Sequence, residues 1–250
     1  YLTGARANYD VLTVQDTSII TNDLFTVATQ ADPSFTANKQ ATLVISGTAI
    51  SSTYDVTVNG NNTGFPFTTD ASETYDELLT QLKTKIDAMS ISGMTTAKYN
   101  NTLQITCSSA FTISAKGGSA NDKLSVFQNQ VSNITQLPTQ TFNGHIVKIQ
   151  NTLSDDDTYF SKFIADNGTS GPGYWEETLD PAKSPGLDNT TMPHELVNTA
   201  TNTFQLRKID WTARLVGDDT TNSHPSFVGS KIVQGFFYNN RLGFLSQDNV

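Results

Sequence analysis

Only one stretch of this 250-residue chain carries a long apolar stripe at helical spacing. Tyr75, Leu78, Leu79, Leu82, Ile86 and Met89 fall at i, i+3, i+4, i+7, i+11 and i+14, which places them on one face of an α-helix. Thr74 and Glu77 stand where a capping box closes a first helical turn, each side chain satisfying a backbone amide of the other. Gly93 ends the region. Elsewhere the apolar residues alternate with period two or come in short runs between turn formers, the pattern of strands. Thr, Asn, Ser and Gly are abundant and only 16% of residues are charged; β-branched Thr suits a pleated surface. The chain is therefore read as mainly β.

The strand pattern divides the chain into three parts. In 1–38, Val11–Val14 and Ser18–Thr21 read as a strand pair, with Leu24–Ala28 as a third strand. From 39 to 136 the style changes. A continuous apolar run, Ala41–Ser46, precedes the alternating Tyr54–Val58 and the turn Asn59-Gly60, and the helix follows. Ala97 and Tyr99 then face Leu103 and Ile105 across an Asn100-Asn101 turn, and Phe111 and Ile113 continue the pattern. The order β-β-α-β-β-β predicts a small inserted α+β domain with its helix on one sheet face. From 137 to 250 the first style returns. Strands are expected at 145–150, 158–165, 174–178, 195–198, 204–211 and 232–237. A chain of this length can bury such cores without disulfides or metals. It begins at Tyr1 and ends with no stop signal after Asn249-Val250, so it is read as a piece of something longer.

Charge and motifs exclude several functions. A net charge of −9 and a pI near 4.6 oppose a grip on phosphates, which needs clustered Lys and Arg. They do not oppose a surface that DNA slides past. Cys107, the single cysteine, alternates with Leu103 and Ile105 and is expected to be a buried strand residue. No stretch approaches a membrane span and no signal peptide is visible. The N-x-S/T matches at Asn61, Asn100, Asn133, Asn167 and Asn189 follow from an Asn- and Thr-rich composition.

Candidate chemistry resolves mostly into bland readings. Asp155-Asp156-Asp157 and Gly217-Asp218-Asp219 could offer oxygen ligands to calcium, but neither has the spacing of a calcium loop, and turns are expected. Glu176 and Glu177 beside Trp175 suggest glycosidase carboxylates, yet neighbours on a strand point to opposite faces and cannot converge on one bond. His145, His194 and His224 lack metal-ligand spacing; Pro193 and Pro225 place the last two in loops. No nucleophile elbow or phosphate-binding glycine loop is present. Trp211, Phe227, Phe236, Phe237, Tyr238 and Phe244 lie among Arg207, Lys208, Arg214, Lys231 and Arg241. They are read as the core of a β domain with Arg bridging strands, in preference to a base-stacking platform. No catalytic residue, cofactor or metal is assigned.

Several segments resemble the nozzle proteins of short-tailed bacteriophages. Thr191-Met192-Pro193-His194-Glu195-Leu196-Val197 is similar to that family's T-M-P-H-x-L-V signature. Gly217-Asp218-Asp219, with Asn222 and Pro225-Ser226-Phe227-Val228-Gly229, is similar to G-D-x-x-x-N-P-x-P-S-F-V-G. Asn240-Arg241-Leu242-Gly243-Phe244-Leu245-Ser246 resembles R-N-R-L-G-F-L-S, with Asn239 where the family commonly has Arg. Tyr174–Leu179 is similar to a W-x-E-T strand, Asn143–Ile149 to N-G-x-x-V-K-I, and Val14–Asn22 weakly to a front strand pair.

The resemblance implies a structural component of the virion tail, made in the host bacterial cytoplasm. It implies six copies in a ring that continues the DNA-ejection channel, below the tail adaptor (tail tubular protein A) and bearing fibres or spikes. Duplex DNA passes through without specific binding. It further implies that the β-rich core is part of a propeller-like domain in a longer chain. No family active site maps onto these motifs, so an enzyme is not expected. Met192, Pro193, His194, Gly217, Asp218, Pro225, Ser226, Phe227, Gly229, Arg241, Leu242, Gly243 and Phe244 are read as turn formers and packing residues, with Gly217, Gly229 and Gly243 where the backbone needs freedom. The alternative is a carbohydrate-binding or carbohydrate-cleaving β protein acting at the host surface through Trp175, Trp211 and the Asp-rich loops. A third reading is a calcium-stabilised β module.

Overall fold

A computed structural model describes residues 1–47, 51–118, 120–150 and 158–247. In chain order the strands begin with β1 (Tyr9–Val14), β2 (Thr17–Asn22), β3 (Gln40–Ile45), β4 (Thr53–Val58) and β5 (Phe67–Thr68). The helix α1 (Tyr75–Ala88) follows, then β6 (Met94–Tyr99), β7 (Thr102–Cys107), β8 (Ile113–Gly117), β9 (Leu124–Phe127) and β10 (Gln130–Val131). Next come β11 (Gln140–Phe142), β12 (Ile146–Ile149), β13 (Tyr159–Ala165) and β14 (Ser170–Thr178). The last are β15 (His194–Ala200), β16 (Thr203–Lys208), β17 (Ile232–Tyr238) and β18 (Arg241–Ser246). The protein is mainly β, with one α-helix among the described residues. Two compact units divide it: Tyr1–Pro33 with Leu179–Val250, and Ser34–Thr178.

The second unit is built around the helix. Leu78, Leu79, Leu82 and Ile86 are buried to within 1% and form the inward face of α1. Each such side chain contributes about 1.5–3 kcal/mol when fully buried. They pack with Leu43 and Ile45 of β3, Tyr54, Val56 and Val58 of β4, and Leu103 and Ile105 of β7. The strands form two sheets of order β6-β7-β3-β9 and β5-β4-β8, all neighbours antiparallel. The predicted cap forms: Thr74 donates its amide to Glu77 Oε2 at 2.9 Å, and Glu77 returns its own to Thr74 Oγ1 at 3.3 Å. Tyr75, the first residue of the apolar stripe, points outward and is 46% exposed. Met89 is the C-cap rather than a helical residue. Lys98 of β6 reaches back to Asp76 Oδ1 at 2.6 Å, tying the first helical turn to the sheet.

The Asn100-Asn101 hairpin forms as the pattern predicts, joining β6 to β7 with Tyr99 opposite Thr102. Cys107, expected in the core, ends β7 half-buried and free. The short strands β5 and β9 add to the predicted β-β-α-β-β-β order. The same unit holds a further sheet of order β10-β12-β13-β14-β11. Val131, Val147 and Ile149 form its small core with Phe127, Leu137, Tyr159 and Trp175. The acidic run Asp155-Asp156-Asp157 lies outside the described residues.

The first unit carries an antiparallel sheet of order β1-β2-β15-β16 and the β17–β18 hairpin. Its first strand pair is where the sequence placed it. The third expected strand, 24–28, is not one: it makes one isolated bridge, Thr26 opposite Lys231, and a second, Thr29 opposite Leu187, lies just beyond it. The predicted strand 204–211 stops at Lys208. The β17–β18 turn has positive φ at both Asn239 (48°) and Asn240 (60°). Two left-handed residues make the turn whose twist matches a tight hairpin, and Asn tolerates that conformation better than Arg does.

Candidate functional site

The apolar motif residues Met192, Phe227 and Phe244 come from three separate stretches and meet at Val27 of the first unit. Ala28 donates its amide to Thr191 Oγ1 at 3.0 Å, and Asp188 donates its own to the Ala28 carbonyl at 2.8 Å. On the other side Val27 gives its amide to the Ser230 carbonyl and receives that of Gly229 at its own, both at 2.9 Å. The strap misread as a strand therefore takes its hydrogen bonds from loops on both sides. Its one fully inward side chain, Val27, packs with Met192 and Ile232, and Leu187, Trp211, Phe227, Val228 and Phe244 close around them. Trp211 and Phe227 both meet the Phe244 ring edge-on, at centroid distances of 5.7 and 6.4 Å. Met192, Phe227 and Phe244 are thus packing residues of one core.

The polar motif residues build turns. Gly217 has φ of +80°, a conformation that side chains resist. The Asp218 carboxylate after it accepts from the amides of Thr220 and Thr221, both at 2.8 Å, and from the Thr221 hydroxyl at 3.0 Å. Those backbone donors hold its carboxyl below the usual carboxylate range. Arg214 clamps the same loop. Its nearly buried guanidinium donates to Asp219 Oδ1 at 2.8 Å, to the Asn222 carbonyl at 2.9 Å and to the Ser184 carbonyl at 3.1 Å. The hydrogen bond from Arg214 also lowers Asp219. The Asp218 carboxylate accepts from its own loop and that of Asp219 from Arg214, the arrangement of a turn. Arg214 is the residue that sequence reasoning undervalued: its neighbours were visible, but its partners at Ser184 and Asn222 were not.

Pro225 starts the next turn, where Val228 donates to the Pro225 carbonyl at 3.0 Å. Ser226 and Phe227 follow, and Gly229 closes the turn at φ +87°. Gly243 differs from both other motif glycines. Its φ is not positive, and what it supplies is room: a Cβ there would lie 2.3 Å from the Phe236 ring across the hairpin. Arg241 and Leu242 are exposed at the hairpin tip.

His194, expected in a loop, is the first residue of β15 and is buried. Pro193 before it is buried as well, so the proline feeds a strand. The His194 ring stacks on Tyr1 at 3.9 Å, and Nδ1 donates to the Met192 carbonyl at 2.9 Å. Burial pushes its pKa down. His224 is 4.0 Å from Asp219. The aromatic group splits: Trp211, Phe227 and Phe244 enter the core, whereas Phe236, Phe237 and Tyr238 remain exposed. Arg207 bridges strands by pairing with Glu195 at 2.6 Å.

In the second unit Trp175 Nε1 donates to the Pro138 carbonyl at 2.8 Å, and its ring meets Phe163 edge-on. Lys162 pairs with Glu176 across the β13–β14 ladder at 3.4 Å. Glu177 occupies the next position, whose side chain alternates to the other face. Among the described residues no group of three His, Cys, Asp or Glu could hold a metal. No helix among them is long and apolar enough to cross a membrane.

Comparison with known proteins places the chain in a family. The bacteriophage nozzle protein family matches residues 1–250. The tail tubular protein gp12 of Escherichia phage T7 is 32% identical over 186 residues, which is 73% of this chain. The matched region spans 22% of that relative's length.

Proposed function

Because the chain belongs to the bacteriophage nozzle protein family, and is on that footing a structural component of a phage tail, we propose that it acts as part of the tail conduit. Six copies form a ring that continues the channel through which DNA is ejected. The ring sits against the tail adaptor (tail tubular protein A) and carries fibres or spikes on its outside. Residues 39–136, which carry the helix α1 and lie within the unit Ser34–Thr178, serve as a platform that meets neighbouring copies or the adaptor.

The observation that carries this reading is the fate of the motif residues. Met192, Phe227 and Phe244 are spent on one core, and Gly217, Asp218 and Gly229 on turns around it. A site that does chemistry holds perturbed groups in a cleft and aims them at a substrate. Here the perturbed carboxylates, Asp218 and Asp219, are held by their own loop and by Arg214. A rigid frame is what a tail ring requires, since a heterologous ring interface closes only if each subunit keeps its two contact faces at a fixed angle.

The test is negative-stain electron microscopy of the full-length protein, alone and mixed with its adaptor. A six-fold ring with a hole wide enough for duplex DNA is expected. A protein that remains monomeric in both samples overturns the proposal.

A further inference from the structure

We propose that His145 is an acid-sensitive pin between the sheets of the second unit, and that protonating its ring loosens this join while the individual sheets stay folded. The ring is completely buried just before β12. Nε2 lies 2.8 Å from the Gln128 carbonyl, which can only accept, so Nε2 carries the hydrogen. Nδ1 is then the acceptor and faces the Thr141 hydroxyl of β11 at 3.2 Å and the Thr42 hydroxyl of β3 at 3.5 Å. The two hydroxyls are 2.6 Å apart. Through this cluster β3, the segment between β9 and β10, and β11 are joined at one imidazole.

Other contacts along the join are short-reaching. Asn100 donates to Gln140 Oε1 at 3.0 Å. The Tyr99 ring rests on the backbone of Gly171, where a Cβ would come within 2.2 Å of it. Among these contacts the His145 ring is the fully buried side chain and the one group that takes up a proton on the acid side of neutrality.

A second proton on Nδ1 turns an acceptor into a donor. The Thr141 and Thr42 hydroxyls can rotate to receive it, but the charge has no counter-ion. The ring's partners on β3, β11 and the 128 segment are hydroxyls and a carbonyl, and its remaining ring contacts are Phe142, stacked at 4.6 Å, and Trp175 of β14 at 5.8 Å. No Asp, Glu, Lys or Arg faces it from these elements, and its shift arises from burial and the Gln128 bond. A buried charge without a partner is relieved by opening to water. Burial pushes the ring down to about 4 from its ordinary 6.5. The pin's contribution is therefore whole above 6.5 and is lost as pH falls towards 4, because the opened form takes the proton first.

The experiment is hydrogen exchange of the full-length protein between pH 7.5 and 4.5, corrected for intrinsic exchange rates. Amides at the join itself, those of residues 128–131 and of His145, are expected to lose protection by about tenfold or more below pH 6, while β3, β13 and α1, held within their own sheets and helix, keep theirs. His145→Gln supplies a donor towards Gln128 and an acceptor towards Thr141 but cannot charge, and it is expected to abolish the acid step. Unchanged protection of the wild type down to pH 4.5, or an acid step that survives in His145→Gln, overturns the proposal. Should that variant fold poorly, the labelled His145 ring is followed by NMR in the wild type. A ring that titrates near 6.5 with protection intact also overturns it.

Discussion

Gly243 and Phe236 compete for the same space. They are cross-strand partners in the β17–β18 hairpin, and the Phe236 ring lies over the bare backbone of the glycine. Gly243→Ala is expected to destabilise the protein by up to about 1 kcal/mol, less than the ~1–3 kcal/mol of overpacking a core, because the exposed Phe236 ring can swing aside. Phe236→Ala removes the obstruction, so in the double variant most of the Gly243→Ala cost should disappear. Denaturant melts of the four proteins give the coupling energy, and strictly additive effects would contradict the shared-space account. The glycine was visible in the sequence, but its reason was not: backbone freedom was expected, and the demand comes from a ring seven residues away in the chain. His194 illustrates the same limit. A flanking proline indicated a loop, whereas the residue is the buried first position of β15, with Tyr1 stacked on its ring and Phe25 on Tyr1.

Element boundaries were most legible where local pattern and tertiary burial agree. The apolar stripe of α1 and its Thr74–Glu77 cap were both in the sequence, and both form. Thr74→Ala should cost about 1 kcal/mol, the usual loss on removing an N-cap side chain. Thermal or denaturant melting of the variant checks this, and a loss below a few tenths would mean that packing of the helix face alone fixes its start. The β6–β7 hairpin was equally legible, from alternation on both sides of Asn100-Asn101. Two-residue strands such as β5 and β10 were not legible, since so short a run has no period to detect; neighbouring strands make them by supplying hydrogen bonds. The strap 24–28 shows the converse. Its β-like sequence forms no ladder, because loops from residues 188–191 and 229–231 occupy its hydrogen-bonding groups.

At the scale of the whole molecule, charge is the property that bears on the proposed conduit. The chain has 24 acidic residues against 15 Lys and Arg, and several of those cations are already paired with carboxylates, among them Lys83, Lys98, Arg207 and Arg214. A surface of this kind lets phosphates pass without holding them. Gel mobility of duplex DNA should be unshifted by the protein even at about 50 mM salt, where electrostatic binding is strong. A saturable complex that dissociates as salt rises would refute a non-gripping channel.

The sequence by itself determined the β class, the helix α1 with its cap, the tight hairpins and the family, because periodicity, turn residues and ordered motifs are written in neighbouring positions. Only the tertiary structure decided what the motif residues do. Met192, Phe227 and Phe244 become one core, Arg214 becomes the clamp of the 217–222 loop, and His145 becomes a buried join. Each of those roles depends on burial and on partners from distant segments, and no local pattern encodes which distant group will arrive.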